Sequence, residues 1–282
     1  MPAEREMRGS FLLSTKSKIL LVNDDGADAP GLWALFESIE SVADPVVVAP
    51  LLEQSARGHA ITIRQPMALS EIEYHGRKVG YRLDGTPADC VKLALANLYR
   101  GQIALVISGI NWGANVGCNI LYSGTVGAAL EAAIYGLPAI AISLHDAHNS
   151  PAHFDTAARV ARRLALDVLA HGLPPGVILN VNVPNLPLDE IPRAAVTRQG
   201  QETFVDLFEI NHSDERTTWC TNFGGERLPS RASEHPVDDL ALNGCLISIT
   251  PLHFDLTNHT SFETLRDRFA GLSLCGGDDA SA

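Results

Sequence analysis

The sequence predicts an α/β protein with a mostly parallel sheet covered by helices on both faces. Two observations carry that prediction. Short continuous apolar runs recur without polar alternation, as in strands buried on both sides, and they alternate with amphipathic stretches of helical period. A third sets the scale: 282 residues with 46% hydrophobic content suffice for one large domain with a buried core.

The elements follow in order. Residues 1–17 carry mixed charge and only a brief apolar patch at Phe11, Leu12 and Leu13, too short for a signal peptide or a membrane span, and are expected to be a flexible leader. Lys18-Ile-Leu-Leu-Val-Asn23 reads as a buried strand entering the turn Asn23-Asp24-Asp25-Gly26. Pro30 then opens a helix with Leu32, Leu35, Phe36 and Ile39 on one face. Pro45 to Ala49 is the second strand, and residues 61–83 around Gly76 read as a hairpin. A helix over Pro87 to Tyr99 and a strand over Ile103 to Ser108 come next. A glycine-rich loop from Gly109 to Gly124 leads to a helix over Thr125 to Tyr135, stopped at Gly136, and to the strand Ala139 to Ser143.

Phe154 to His171 and Gly176 to Val183 give a further helix and strand. From Arg198 to Val237 the pattern weakens, as expected of a functional loop, a protruding hairpin or an oligomer contact. Leu246 to Thr250 returns as a strand, and Thr260 with Glu263 reads as a capping box for a last helix bearing Phe262, Leu265 and Phe269. Residues 276–282 are expected to be a disordered tail.

Composition narrows the chemistry. A formal charge of −12 disfavours a nucleic-acid polymer as partner, so a nucleotide-like ligand should be small and locally held. Five dispersed cysteines without a C-x-x-C pair argue against a disulfide framework or zinc site and for a reducing, cytoplasmic compartment. Neither a Walker sequence nor a G-x-G-x-x-G after the first strand is present, and the histidines show no H-E-x-x-H spacing.

In an open parallel sheet, ligands bind beyond the carboxyl ends of the strands. Asp24 and Asp25 stand there, as do Ser55 after the second strand and Asn111 after the strand ending at Ile107. Adjacent carboxylates with neutral oxygen donors suit Mg²⁺ or Mn²⁺, although a solvated turn fits the Asp24-Asp25-Gly26 triplet equally well. Ser55 and Asn111, each alone, fit a turn. Ser123, Gly124 and Thr125 precede a helix, where free amides favour an anion, and ordinary N-capping explains the same residues.

Taken together these motifs resemble the SurE family, the stationary-phase survival proteins. The resemblance rests on Asn23-Asp24-Asp25-Gly26, Gln54-Ser55, Gly85-Thr86-Pro87-Ala88-Asp89, Ser108-Gly109-Ile110-Asn111 and Tyr122-Ser123-Gly124-Thr125, followed by Leu179-Asn180-Val181-Asn182, Thr197-Arg198-Gln199-Gly200 and Ser248-Ile249-Thr250-Pro251 in that order. It implies a Rossmann-like, doubly wound core over residues 18–197, and a projecting hairpin with a C-terminal oligomerisation region over 198–275. It further implies a metal-dependent 5'-nucleotidase, a phosphoric monoester hydrolase acting on nucleoside monophosphates through metal-activated water.

One divalent ion per subunit, Mg²⁺ or Mn²⁺, would be held by Asp24, Asp25, Ser55 and Asn111, with Asp24 and Asp25 also catalytic. Asn115, Ser123, Gly124 and Thr125 would surround the phosphate, and the chain would form a homodimer or homotetramer without a membrane partner. Competing readings are a 3'-nucleotidase or exopolyphosphatase using the same site, and a non-catalytic nucleotide-binding protein. The chain departs from the family after Ser55, where Ser-Gly-x-Ser-x-Ser is usual and Ser55-Ala56-Arg57-Gly58-His59-Ala60 stands instead. Arg57 and His59 are thereby expected to bear on substrate preference.

Overall fold

The computed structural model describes residues 16–145, 151–204, 207–212, 217–222, 227–270 and 272. The leader, apart from Lys16 and Ser17, and the 276–282 tail lie outside the described residues. In chain order the strands are β1 (Lys18–Val22), β2 (Asp44–Pro50), β3 (Leu69–Tyr74), β4 (Arg77–Leu83), β5 (Ile103–Trp112), β6 (Ala139–Leu144), β7 (Val177–Val183), β8 (Ala194–Val196), β9 (Thr203–Phe204), β10 (Leu207–His212), β11 (Thr217–Asn222), β12 (Arg227–Leu228) and β13 (Ile247–His253). The α-helices are α1 (Pro30–Glu40), α2 (Pro87–Leu93), α3 (Gly124–Ile134), α4 (Phe154–His171), α5 (Asp238–Asn243) and α6 (His259–Phe269).

Nine strands form one sheet in the order β3-β4-β2-β1-β5-β6-β7-β13-β8. The pairs joining β4, β2, β1, β5, β6 and β7 are all parallel, whereas β3 and β13 run antiparallel to β4 and β7. The pleat divides each central strand between two cores. Ile19 and Leu21 of β1 join Leu32, Leu35, Phe36 and Ile39 of α1 and Ala157, Ala161, Ala165 and Val168 of α4. Leu20 and Val22 turn to the opposite face, toward Cys90 and Val91 of α2 and Val126, Ala129 and Ala132 of α3. Burying each of these large aliphatic side chains contributes roughly 1.5–3 kcal/mol, so the runs without polar alternation are what a sheet covered on both sides requires.

The chain winds from β1 outward through β2 to β4, then returns to place β5 on the other side of β1. Their carboxyl ends therefore flank a topological switch point, the crevice where open α/β sheets bind ligands.

Several elements differ from the sequence expectation. The hairpin begins at Leu69 rather than Ile61 and turns through His75 and Gly76, both at positive φ. The helix after Pro87 finishes as a π-helical turn over Ala94–Leu98. β5 continues to Trp112, with its pairing to β6 interrupted between Ser108 and Asn111, so Gly109 to Asn111 belong to an irregular strand end. The last helix is capped by Asn258, whose side chain accepts from the Ser261 amide, rather than by Thr260. β10 pairs with β11 and β12 with β9 in two small ladders separate from the main sheet. Among the described residues no helix is long and apolar enough to cross a membrane.

Candidate metal and phosphate site

β1 ends in a buried residue, Val22, and the next two, Asn23 and Asp24, remain buried. Asn23 closes the turn by donating Nδ2 to the Gly26 carbonyl at 2.8 Å. Asp24, 4% exposed, points at the start of α3: its Oδ1 accepts from Thr125 Oγ1 at 2.6 Å and its Oδ2 from the Thr125 amide at 3.2 Å. The approach is close enough that a Cβ on Gly124 would stand 2.9 Å from Asp24 Cβ. Asp25 accepts from the Trp112 amide at the end of β5 at 3.2 Å.

The segment after β2 joins the same place. Gln54 donates its amide to the Asp24 carbonyl at 2.7 Å, and Ser55 donates its hydroxyl to Glu53 at 2.6 Å. Asn111 turns its Nδ2 to the Gly113 carbonyl at 2.7 Å, one residue before the amide that Asp25 takes. Ser123 caps α3 by accepting from the Val126 amide at 3.1 Å, so its own proton stays available to donate.

Asn115 is placed differently, in an amide cluster at the carboxyl ends of β6 and β7. Its backbone amide donates to Asn182 at 2.8 Å, its Nδ2 to Ser143 at 2.9 Å, and its carbonyl accepts from Asn180 and Asn182. The structure thus gathers Asp24, Gln54 and Thr125 by direct hydrogen bonds and ties Asp25 to Trp112, with Ser55 and Asn111 in adjoining residues and Asn115 in the loop after β5, bonded to β6 and β7. Glu53, in the stretch Glu53-Gln54-Ser55 that follows the second strand, is a third carboxylate to which the sequence assigns no role, and its charge acts on both aspartates. Only folding brings it near, since 28 residues separate it from Asp25.

The electrostatics would suit a cation. Burial pushes the Asp24 carboxyl above its usual range against the lowering effect of the Thr125 hydrogen bonds. Asp25 is pushed up to about 7, first by burial and then by the neighbouring Asp24 charge. None of the ion pairs among the described residues involves either aspartate. Asn23 Oδ1, just after β1, and Ser108 Oγ, within β5 in register with Val22, are buried without a hydrogen-bond partner among the described residues. Two adjacent carboxylates without a counter-charge are costly unless protonated or met by a cation.

Among the described residues no three His, Cys, Asp or Glu side chains converge as a ligand set. A cation here would rest on two carboxylates and neutral oxygens, a donor set that fits a hard ion retaining several waters.

Comparison with known proteins places the chain in a family. The family model "Survival protein SurE" matches residues 19–206. The 5'-nucleotidase SurE of Syntrophobacter fumaroxidans is 44% identical over 250 residues, covering 88% of this chain and 98% of its own. That of Geobacter metallireducens is 43% identical over 258 residues, covering 91% and 100%. A crystal structure of the SurE protein from Aquifex aeolicus superposes with a TM-score of 0.76 at 36% identity, covering 89% of this chain and 99% of that one. The open, mostly parallel sheet, the two carboxylates at its switch point and the extent of these matches lead to one conclusion: the chain belongs to the SurE family.

Proposed function

We propose that this chain is a divalent-metal-dependent 5'-nucleotidase that hydrolyses nucleoside monophosphates to nucleoside and phosphate. The observation that carries the reading is the pair of adjacent carboxylates, Asp24 and Asp25, set against the start of α3 with no ion-pair partner among the described residues. One Mg²⁺ or Mn²⁺ per subunit would be held by Asp24, Asp25, Ser55 and Asn111. Such an ion, when bound, supplies Lewis-acid polarisation of a phosphoryl oxygen and lowers the pKa of a coordinated water.

The chain's own residues do the remaining work. Thr125 fixes Asp24 through two hydrogen bonds, and the Trp112 amide fixes Asp25, so neither carboxylate reorients when charge develops. Asp24 or Asp25 orients the attacking water in line with the departing ribose oxygen. The Ser123 hydroxyl and the Gly124 backbone at the start of α3 would face the phosphate, where the helix dipole favours negative charge, while the Thr125 and Val126 amides are taken by Asp24 and Ser123. Asn115, locked by Ser143, Asn180 and Asn182, borders the phosphate from the neighbouring strands.

The chain is further read as a homodimer or homotetramer. In support, α6 buries none of its residues within the chain, and Phe262, Leu265 and Phe269 on it are all exposed. Exposed apolar stripes of this kind mark association surfaces.

Asp24→Asn and Asp25→Asn are each expected to abolish phosphate release from AMP and GMP while thermal unfolding stays cooperative. Full activity in either variant would sink the assignment. A panel of AMP, 3'-AMP and short polyphosphate under one phosphate assay should show 5'-monophosphates turned over fastest.

A further inference from the structure

We propose that Glu131 of α3 and His59 form a latch holding the segment that carries Ser55 against the site, which makes Glu131 and His59 positioning residues for the reaction. The inference rests on the metal-dependent reading above, in which Ser55 is a ligand.

The segment between β2 and β3 has no regular secondary structure through the site, and most of residues 51–61 are exposed. Ala56 stands at φ 58°, the left-handed region that a residue with a Cβ disfavours by roughly 1–2 kcal/mol. Such a segment keeps one conformation only if the body of the protein holds it.

The holding points converge on α2 and α3. The Gly58 amide donates to the Tyr122 carbonyl at 2.9 Å, the Ala60 carbonyl accepts from Thr86 Oγ1 at 2.7 Å, and the Thr62 amide donates to Asp89 at 2.9 Å. Between them His59 Nε2 meets Glu131 Oε2 at 2.8 Å. Glu131, 5% exposed, also takes Lys92 Nζ at 3.0 Å on its other oxygen. The contact is tight: a Cβ on Gly127, one helical turn before Glu131, would come within 2.8 Å of the Gly58 carbonyl oxygen.

The two partners of Glu131 have separable roles. Lys92 ties α2 to α3 and already supplies a counter-charge to the buried carboxylate, which is a matter of fold stability. His59 comes from the substrate side, four residues after Ser55, on a helix-bound stretch whose α3 partner opens with Ser123 and Thr125. Loss of the latch leaves Glu131 paired with Lys92 but lets the segment leave its binding-competent conformation. Apparent affinity falls with the competent fraction, while the saturated enzyme, which has selected that conformation, turns over as before.

The test is His59→Ala, with Lys92→Met as the control that removes the other partner. In His59→Ala, hydrogen exchange of the Gly58 to Thr62 amides should quicken. KM for AMP and the Mn²⁺ dissociation constant, read by calorimetry, should each rise roughly three- to tenfold with kcat within about twofold. Lys92→Met should lower the melting temperature while leaving KM and exchange of the segment unchanged. Unchanged exchange and KM in His59→Ala would overturn the latch, as would a Lys92→Met variant with the same KM rise. Should the wild-type enzyme prove unable to release phosphate from AMP with Mn²⁺, the functional reading fails, while amide exchange still decides the latch.

Discussion

Thr125 and Asp24 share two hydrogen bonds in the candidate site, and they show how a residue's role depends on what folding sets opposite it. The sequence suggested Thr125 as a phosphate ligand or helix cap; in the structure both its amide and its hydroxyl are bonded to Asp24, while Ser123 caps the helix. Thr125→Val, which removes the shorter bond, is therefore expected to lower metal affinity and kcat/KM by roughly 10- to 100-fold, as supports of metal ligands commonly do. Calorimetric Mn²⁺ titration alongside kinetics checks it, and unchanged affinity would show that the hydroxyl is dispensable.

Gly124→Ala should act through the same carboxylate, forcing Asp24 aside at about 1–3 kcal/mol of stability, read from urea unfolding, together with a loss of activity. The aspartates could be found in the sequence because they follow an apolar strand directly. The His59–Glu131 pair could not, because the two residues lie 72 positions apart and no periodicity reports such a meeting.

At the scale of elements, the strands and helices of the parallel core were legible because burial on both faces leaves uninterrupted apolar runs such as Val46, Val47 and Val48. The end of β5 was not: Gly109 reads as a turn, yet the strand resumes through Asn111 and Trp112 beyond an irregular pairing. The Thr260 cap failed for a local reason, since Asn258 two residues earlier offers a side-chain acceptor of equal chemistry to the Ser261 amide.

The N-terminus of α2 shows a cap doing two jobs. Thr86 accepts from the Asp89 amide and donates to Ala60, so Thr86→Ala should cost about 1–2 kcal/mol in urea unfolding. Burial alone would raise the Asp89 carboxyl, but hydrogen bonds from Thr62 and Thr86 more than offset it, and the folded value lies below the usual one. Asp89 thus contributes stability above its unfolded value of about 4, and the contribution is lost as pH falls through the folded value. Urea unfolding of Asp89→Asn should show a deficit at pH 7 that shrinks below about pH 4; a deficit constant across that range would contradict the assigned shift.

Over the whole molecule, residues far apart in sequence are tied to the glycine-rich loop ahead of α3. Asp238, fully buried at the start of α5, accepts from the Gly117, Gly200 and Asp239 amides, and Gln199 donates to the Gly117 carbonyl. Asp238→Ala would leave three buried donors unmatched, for an expected loss of at least about 3 kcal/mol in denaturant unfolding. The weakly patterned 198–237 stretch hid this connection, because an acceptor for backbone amides leaves no mark on hydrophobic periodicity.

The pair of adjacent carboxylates at the sheet switch point is proposed to make the whole chain a divalent-ion phosphatase. The direct measurement is phosphate release from AMP by the full chain, stripped with a chelator and then titrated with Mn²⁺ or Mg²⁺. The stripped protein should be inactive, with activity returning saturably as the ion is added, but not in Asp25→Asn. Phosphate release indifferent to both chelator and added metal would contradict that proposal.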